Sequence, residues 1–227
     1  MNAMSQLPEA PFSWPDALGW LVLSGRPDAL SEIRAQALSR YNAAGAIAYI
    51  SLAGDLGDAL MDDMAELGAP AGYLVDLDEL DANEIHQRLS TAGMIVIEAP
   101  SHADELTCLL THTVKSALKT ALDDGALLLL EGAAAALAGE HRLTESGSIA
   151  PGLHFLHNAL IAPNASGLAG NEWIQTIQRD LPALSIMALA PGSALALGPA
   201  QQIETWGDGE VTINLGDLSR ARQNHNP

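Results

Sequence analysis

The sequence predicts an α/β fold with a mainly parallel sheet, and three observations carry that reading. Short, continuous apolar runs alternate along the chain with segments of helical periodicity. The runs lack polar alternation, as expected of strands covered on both faces. Aromatic residues make up only 4% of the chain, so the core must be built from Ala, Leu, Ile and Val, which let helices pack closely on a sheet. The 227 residues suit one such domain, placed at 18–216, between a lead-in (1–17) and a tail (217–227).

The elements follow in order. Leu18 to Ser24 reads as a buried strand, and Leu30, Ile33, Ala37, Leu38 and Tyr41 then recur at helical spacing. Ala46 to Leu52 is a second strand and Leu56 to Leu67 a helix ended by Gly68. Gly72 to Leu77 and Met94 to Ile97 read as strands on either side of a short helix, Asp81 to Leu89. A long helix is expected from His102 to Leu122, capped by Ser101. Ala126 to Leu130 is the fifth strand and runs through Glu131-Gly132 into the small-residue run Ala133 to Ala138.

After Gly152 the texture changes. A strand is expected at Asn158 to Ala162, a helix at Glu172 to Arg179 and a strand at Ala183 to Leu189. The chain should close as an antiparallel extension: Ser193 to Leu197, then Gln201 to Trp206 joined to Val211 to Leu215 by a Gly207-Asp208-Gly209 hairpin.

Composition excludes several classes. The formal charge is −18, from 28 acidic and 10 basic residues, and a surface that acidic repels nucleic-acid phosphates and anionic lipid. The single cysteine, Cys108, rules out an internal disulfide framework and reads as a buried, inert thiol. No apolar run approaches a membrane span, and the lead-in lacks the basic and apolar regions of a signal peptide, so a cytoplasmic protein is expected.

In an open parallel sheet, ligands sit beyond the carboxyl ends of the strands. That points to Gly25-Arg26, to Glu98 through His102, and above all to Glu131 through Ala136. The last is a strand-to-helix turn of small residues, where hydrolases of this build expose a nucleophile on a strained elbow and use helix N–H groups to hold an oxyanion.

Gly125 to Glu140, GALLLLEGAAAALAGE, resembles the cyanophycinase and peptidase E elbow, Gly-x-Ser-Ala-Gly-Ala. LVLSGRPD is similar to that family's opening glycine-rich strand end. Met94 to Val114 resembles its Gly-Gly-x-Gln segment, and GLHFLHNALIAPN its Gly-Leu-Gly-Leu-Leu…Asp-Pro-His segment. ALAPGSALAL and WGDGEVTINL are similar to its closing strands. The resemblance covers residues 18 to 216 and implies a three-layer sandwich of the class I glutamine amidotransferase-like type, with flavodoxin-like topology.

It also implies losses. The family's nucleophilic serine falls on Ala134 and its base histidine on Asn164, whose amide cannot accept a proton near neutral pH. The oxyanion glycine pair falls on Pro100 and Ser101, and Pro100 has no N–H to donate. The late acidic residue falls near Pro191. The expected function is therefore that of a catalytically inactive homologue, a module that binds a small molecule or a protein. The alternative is an active peptide- or amide-bond hydrolase using displaced residues, with Ser101 and His102 as nucleophile and base.

The expected pocket lining is Gly25, Arg26, Glu98, Ser101, Glu131, Gly132, Ala133, Ala134, His154 and Asn164. Glu98 and Glu131 would make it acidic and suit a cationic ligand. His154-x-x-His157, with Glu140 and His141, forms a histidine cluster without a metal-binding signature. No cofactor or metal is expected, and a homodimer through a sheet edge is compatible with the pattern.

Overall fold

The computed structural model describes residues 10–26, 32–51, 56–99, 105–144, 146–165, 167 and 172–217. Five parallel strands form the centre of its larger sheet: β1 (Trp20–Ser24), β2 (Ile47–Ser51), β3 (Gly72–Leu74), β4 (Met94–Ala99) and β5 (Leu127–Gly132). They lie in the order β1-β5-β4-β2-β3. Helices α1 (Glu32–Ser39) and α2 (Leu56–Glu66) cover one face, while α3 (Ala82–Ser90) and α4 (His112–Asp123) cover the other.

The four leucines of β5 show why the strands read as unbroken apolar runs. Leu127 and Leu129 pack with Ile33, Leu60 and Met64 on the α1/α2 face. Leu128 and Leu130 pack with Val114, Leu118 and Leu122 on the other. Strand periodicity still operates, but both faces are core.

The chain then leaves β5 through one turn of helix, α5 (Ala133–Ala136), and enters a second sheet. This contains β6 (Gly139–Leu143), β7 (Ile149–Pro151), β8 (Leu156–Pro163), β9 (Ser185–Leu189) and, near the end of the chain, β12 (Val211–Asn214). Helix α6 (Glu172–Asp180) packs Ile174 and Ile177 on Leu160 and Ile186 of its outer face. The inner face, with Ala159, Ile161, Met187 and Leu189, joins the core shared with α3 and α4. Strands β10 (Ser193–Leu197) and β11 (Ile203–Gly207) return to the first sheet and add antiparallel to the β1 edge.

Two expectations are corrected. The long helix is two pieces, a 3₁₀ turn at Glu105–Leu110 and then α4, capped by the hydroxyl of Thr111, which accepts from the Val114 N–H at 3.3 Å. Ser101, the expected cap, lies outside the described residues. The Asp-Gly turn does not close a hairpin: β11 pairs with β10, whereas β12 pairs with β9 in the other sheet. It is a crossover, stacked on the one at Pro191-Gly192 through Gly209 N–H to Gly192 O (3.1 Å). The antiparallel extension expected at the end of the chain is present as β10, β11 and β12, while β8 runs parallel to both β6 and β9.

The carboxyl end of the larger sheet is held by buried charge. Arg34 of α1, 2% exposed, reaches Glu131 of β5, which is 0% exposed. Its Nε and Nη2 donate to the Glu131 carboxylate at 3.2 and 2.7 Å. Nη1 donates to Asp63 of α2 at 3.1 Å, and Nη2 lies 3.6 Å from Glu98 of β4. Burial works against the charge on Arg34, but Glu131, with Glu98 and Asp63, holds its pKa above the ordinary value. Removing one partner of such a pair strands the other in the interior, at a cost of about 3–5 kcal/mol. Arg34→Met should therefore lower stability by about that amount in chemical denaturation. Arg34→Met/Glu131→Leu should recover most of the loss, because the fully buried carboxylate goes with its partner, and Asp63 and Glu98, which remain, still reach solvent. Equal destabilisation of single and double variants would show that packing, not charge, makes the contact.

Candidate functional site

The elbow lies where β5 gives way to α5, and the residue in the turn is Gly132, at φ 61 and ψ −130. Side chains are disfavoured there, so glycine meets a real backbone need. Ala134, the residue matched to the family's serine, is the second residue of α5 and only 1% exposed. The turn thus falls two residues before the position that the sequence resemblance assigned. A run of four alanines accommodates the motif in either register, whereas the backbone has one sharp turn.

Beside the elbow is a cavity of about 470 Å³, lined by Ala133 and Ala136 of α5, Leu143 of β6, Leu160 through Pro163 of β8, then Asn164, Ala165 and Trp173 of α6. It brings together two of the sequence-predicted positions, Ala133 and Asn164. Asn164 follows β8 directly, with φ 60, and is exposed. Among the described residues the polar side-chain groups of the lining are its amide and the indole N–H of Trp173.

The other expected lining residues lie elsewhere. Gly25 is a packing point: its N–H donates to Ser193 O (2.9 Å), its carbonyl accepts from Gly132 N (3.1 Å), and a Cβ would lie 2.4 Å from Ala190 O. Arg26 is exposed beyond it. Glu131 and Glu98 occupy matched positions on neighbouring parallel strands, with Ser24 opposite Glu131 on β1. Both carboxylates meet Arg34 at the α1/α2 end of the sheet, so neither lines the elbow cavity. The chain itself supplies the cation that these residues led one to expect in a ligand. Pro100, Ser101 and His102 lie outside the described residues.

His154 enters β8 with φ 60, half-buried. Burial, with Lys115 nearby, pushes its pKa below the ordinary histidine value, against the pull of Glu140. The Glu140 carboxylate accepts the Asn158 N–H at 2.7 Å, and His157 is exposed and bridges to Ser13. Among the described residues no three His, Cys, Asp or Glu side chains come together as a metal ion requires. Cys108 is half-buried in the 3₁₀ turn, its thiol pushed up by burial and then by the charge of Asp78. No helix among the described residues is long and apolar enough to cross a membrane.

The overall fold of this α/β chain is shared with solved peptidase structures. A peptidase from an acI-B1 actinobacterium superposes with a TM-score of 0.70 at 16% identity, covering 89% of this chain and 93% of that one. A protein assigned to peptidase E from Listeria monocytogenes EGD-e gives 0.62 at 13% identity, covering 85% and 100%. No family model matches the chain, and no curated protein matches it.

Sequence reasoning missed Arg34. It sits at a helical position 97 residues from Glu131, and only the unusual Glu at the end of a leucine strand hinted that a cation must come from elsewhere. The pH dependence of that end follows from Glu98, whose carboxyl is pushed up by burial, against Arg34 and with Asp63. A raised carboxyl pKa favours the folded state below the ordinary carboxylate range, and that contribution is lost as pH rises through the folded value. Glu98→Gln should therefore gain stability relative to the parent as pH increases towards neutral. A difference in melting temperature that stays flat with pH would contradict this.

Proposed function

We propose that this chain is a peptidase-fold protein without hydrolytic chemistry at its elbow, and that it binds a small molecule in the cavity beside it. One observation carries the reading. The strained turn, where an elbow hydrolase exposes its nucleophile, is occupied by Gly132, which has no side chain. Reading Leu130-Glu131-Gly132-Ala133-Ala134-Ala135 as the family's Gly-x-Ser-Ala-Gly-Ala puts the serine position on Gly132 and matches both motif alanines. In either register no hydroxyl is present.

Asn164 supports the same reading, since an exposed amide at the cavity mouth can donate and accept hydrogen bonds but cannot take a proton from a nucleophile. Without nucleophile and base, an enzyme of this type retains only the contribution of binding and oxyanion contacts. What persists is a cavity of about 470 Å³, within the range of ligand pockets.

The test is turnover of Asp-Leu and of a β-linked Asp-Arg dipeptide by protein shown to be folded. No cleavage above the uncatalysed rate is expected, either from the parent or from Gly132→Ser, which restores a hydroxyl without a base. Cleavage by the parent would overturn the proposal. If Ser101→Ala abolished that cleavage, the chemistry would belong to Ser101 and His102.

A further inference from the structure

Resting on the reading of the elbow cavity as a binding site, we propose that its occupant is a neutral, ring-bearing small molecule with a single hydrogen-bonding group. The walls argue for neutrality. Among the described residues no charged side chain lines the cavity, and an ion entering it would give up hydration without a counter-charge. The acids on either side of α5 in sequence are held elsewhere: Glu131 is paired with Arg34, and Glu140 accepts from the backbone of β8. The chain's net charge of −18 further disfavours anions.

The shape of the lining argues for a ring. Ala133, Ala136 and Ala162 contribute only methyl groups from the α5 and β8 sides, whereas Trp173 brings a half-buried indole from α6. A flat apolar group meets an indole by offset stacking, and small side chains leave room for its thickness. The cavity volume lies in the lower half of the range for drug-sized ligands (roughly 300–1,000 Å³). Beside the donor-only indole N–H of Trp173, the polar handle is the Asn164 amide, which both donates and accepts and can satisfy one carbonyl, amide or hydroxyl. This is a different ligand class from an acidic dipeptide, which would have to bury carboxylates against Leu160 and Ile161.

The experiment uses the neutral fluorophore N-phenyl-1-naphthylamine with the full chain, reading saturable fluorescence enhancement and melting temperature together. A ligand of the native state raises the melting temperature, whereas binding to loosened protein lowers it. Saturable binding with a raised melting temperature is expected. Ala133→Leu, which fills the cavity, and Trp173→Ala, which removes the stacking face, should each weaken it by about tenfold or more. Whichever variant stays folded, by circular dichroism, decides the point. Neither Asp-Leu nor the cation agmatine should displace the fluorophore.

Absence of saturable binding, or equal affinity in parent and variants, overturns the proposal. Displacement by Asp-Leu without cleavage overturns the ligand class while leaving a binding protein. Cleavage of Asp-Leu overturns the function on which the proposal rests.

Discussion

Arg34 meets Glu131 through two N–H groups at the point where β5 is about to turn into α5. A carboxylate with 0% exposure has no water to stabilise it, so the guanidinium must be in place for the strand end to be buried at all. The same guanidinium reaches Asp63 on α2 and lies near Glu98 on β4. One side chain therefore ties two helices to two strands. Its planar fork suits this task, because it can serve several carboxylates in fixed directions where a lysine offers a single point charge. The cost is a local excess of negative charge, and burial raises the proton affinity of both Glu98 and Glu131 against the pull of Arg34.

This tie has consequences on the other side of the sheet. Glu131 faces α1 and α2, and the next residue, Gly132, makes the sharp turn. The Gly132 N–H then donates to Gly25 O, whose own residue is pinned to Ser193 and packed on Ala190. The elbow backbone is thus held by its neighbours on β1 and β10 and by the charge cluster beneath, and not by any group within the cavity. Side chains around the cavity can change without loosening the turn. A fold likeness to a peptidase at 16% identity does not by itself carry an activity.

Legibility in the sequence follows the same division. The central strands were readable because each is a run of apolar residues bounded by Gly, Pro or Asp; the helix read from Asp81 is present too, with Asp81 as its cap, accepting from Asn83 and Glu84 N–H at 2.8 and 3.0 Å. Strands β6 and β7 were not readable. Gly-Glu-His-Arg-Leu in β6 mixes charge into a half-buried strand, and β7 has three residues, too few to show a period. The Asp-Gly signal was real as a turn but silent on which strands it joined, since β11 and β12 find partners in different sheets. Glu98 and Glu131 were recognised as strand-end acids. Their partner was invisible because a buried arginine on a short helix has the same local pattern as a surface one.

The elbow itself favours the glycine found there. A residue other than glycine held at φ 61, ψ −130 carries about 1–3 kcal/mol of backbone strain. A hydrolase accepts that strain because the turn is what aims its nucleophile. Glycine keeps the turn without that strain, so on the proposed reading, in which nothing is cleaved, the fold loses nothing by having no side chain there. The apolar lining is consistent with this reading. A hydrolytic centre must admit water and stabilise charge in its transition state, whereas Leu160, Ile161, Ala162 and Trp173 favour an occupant that displaces water and carries no charge. The same cavity cannot serve both demands well, and its residues in this chain align with the second.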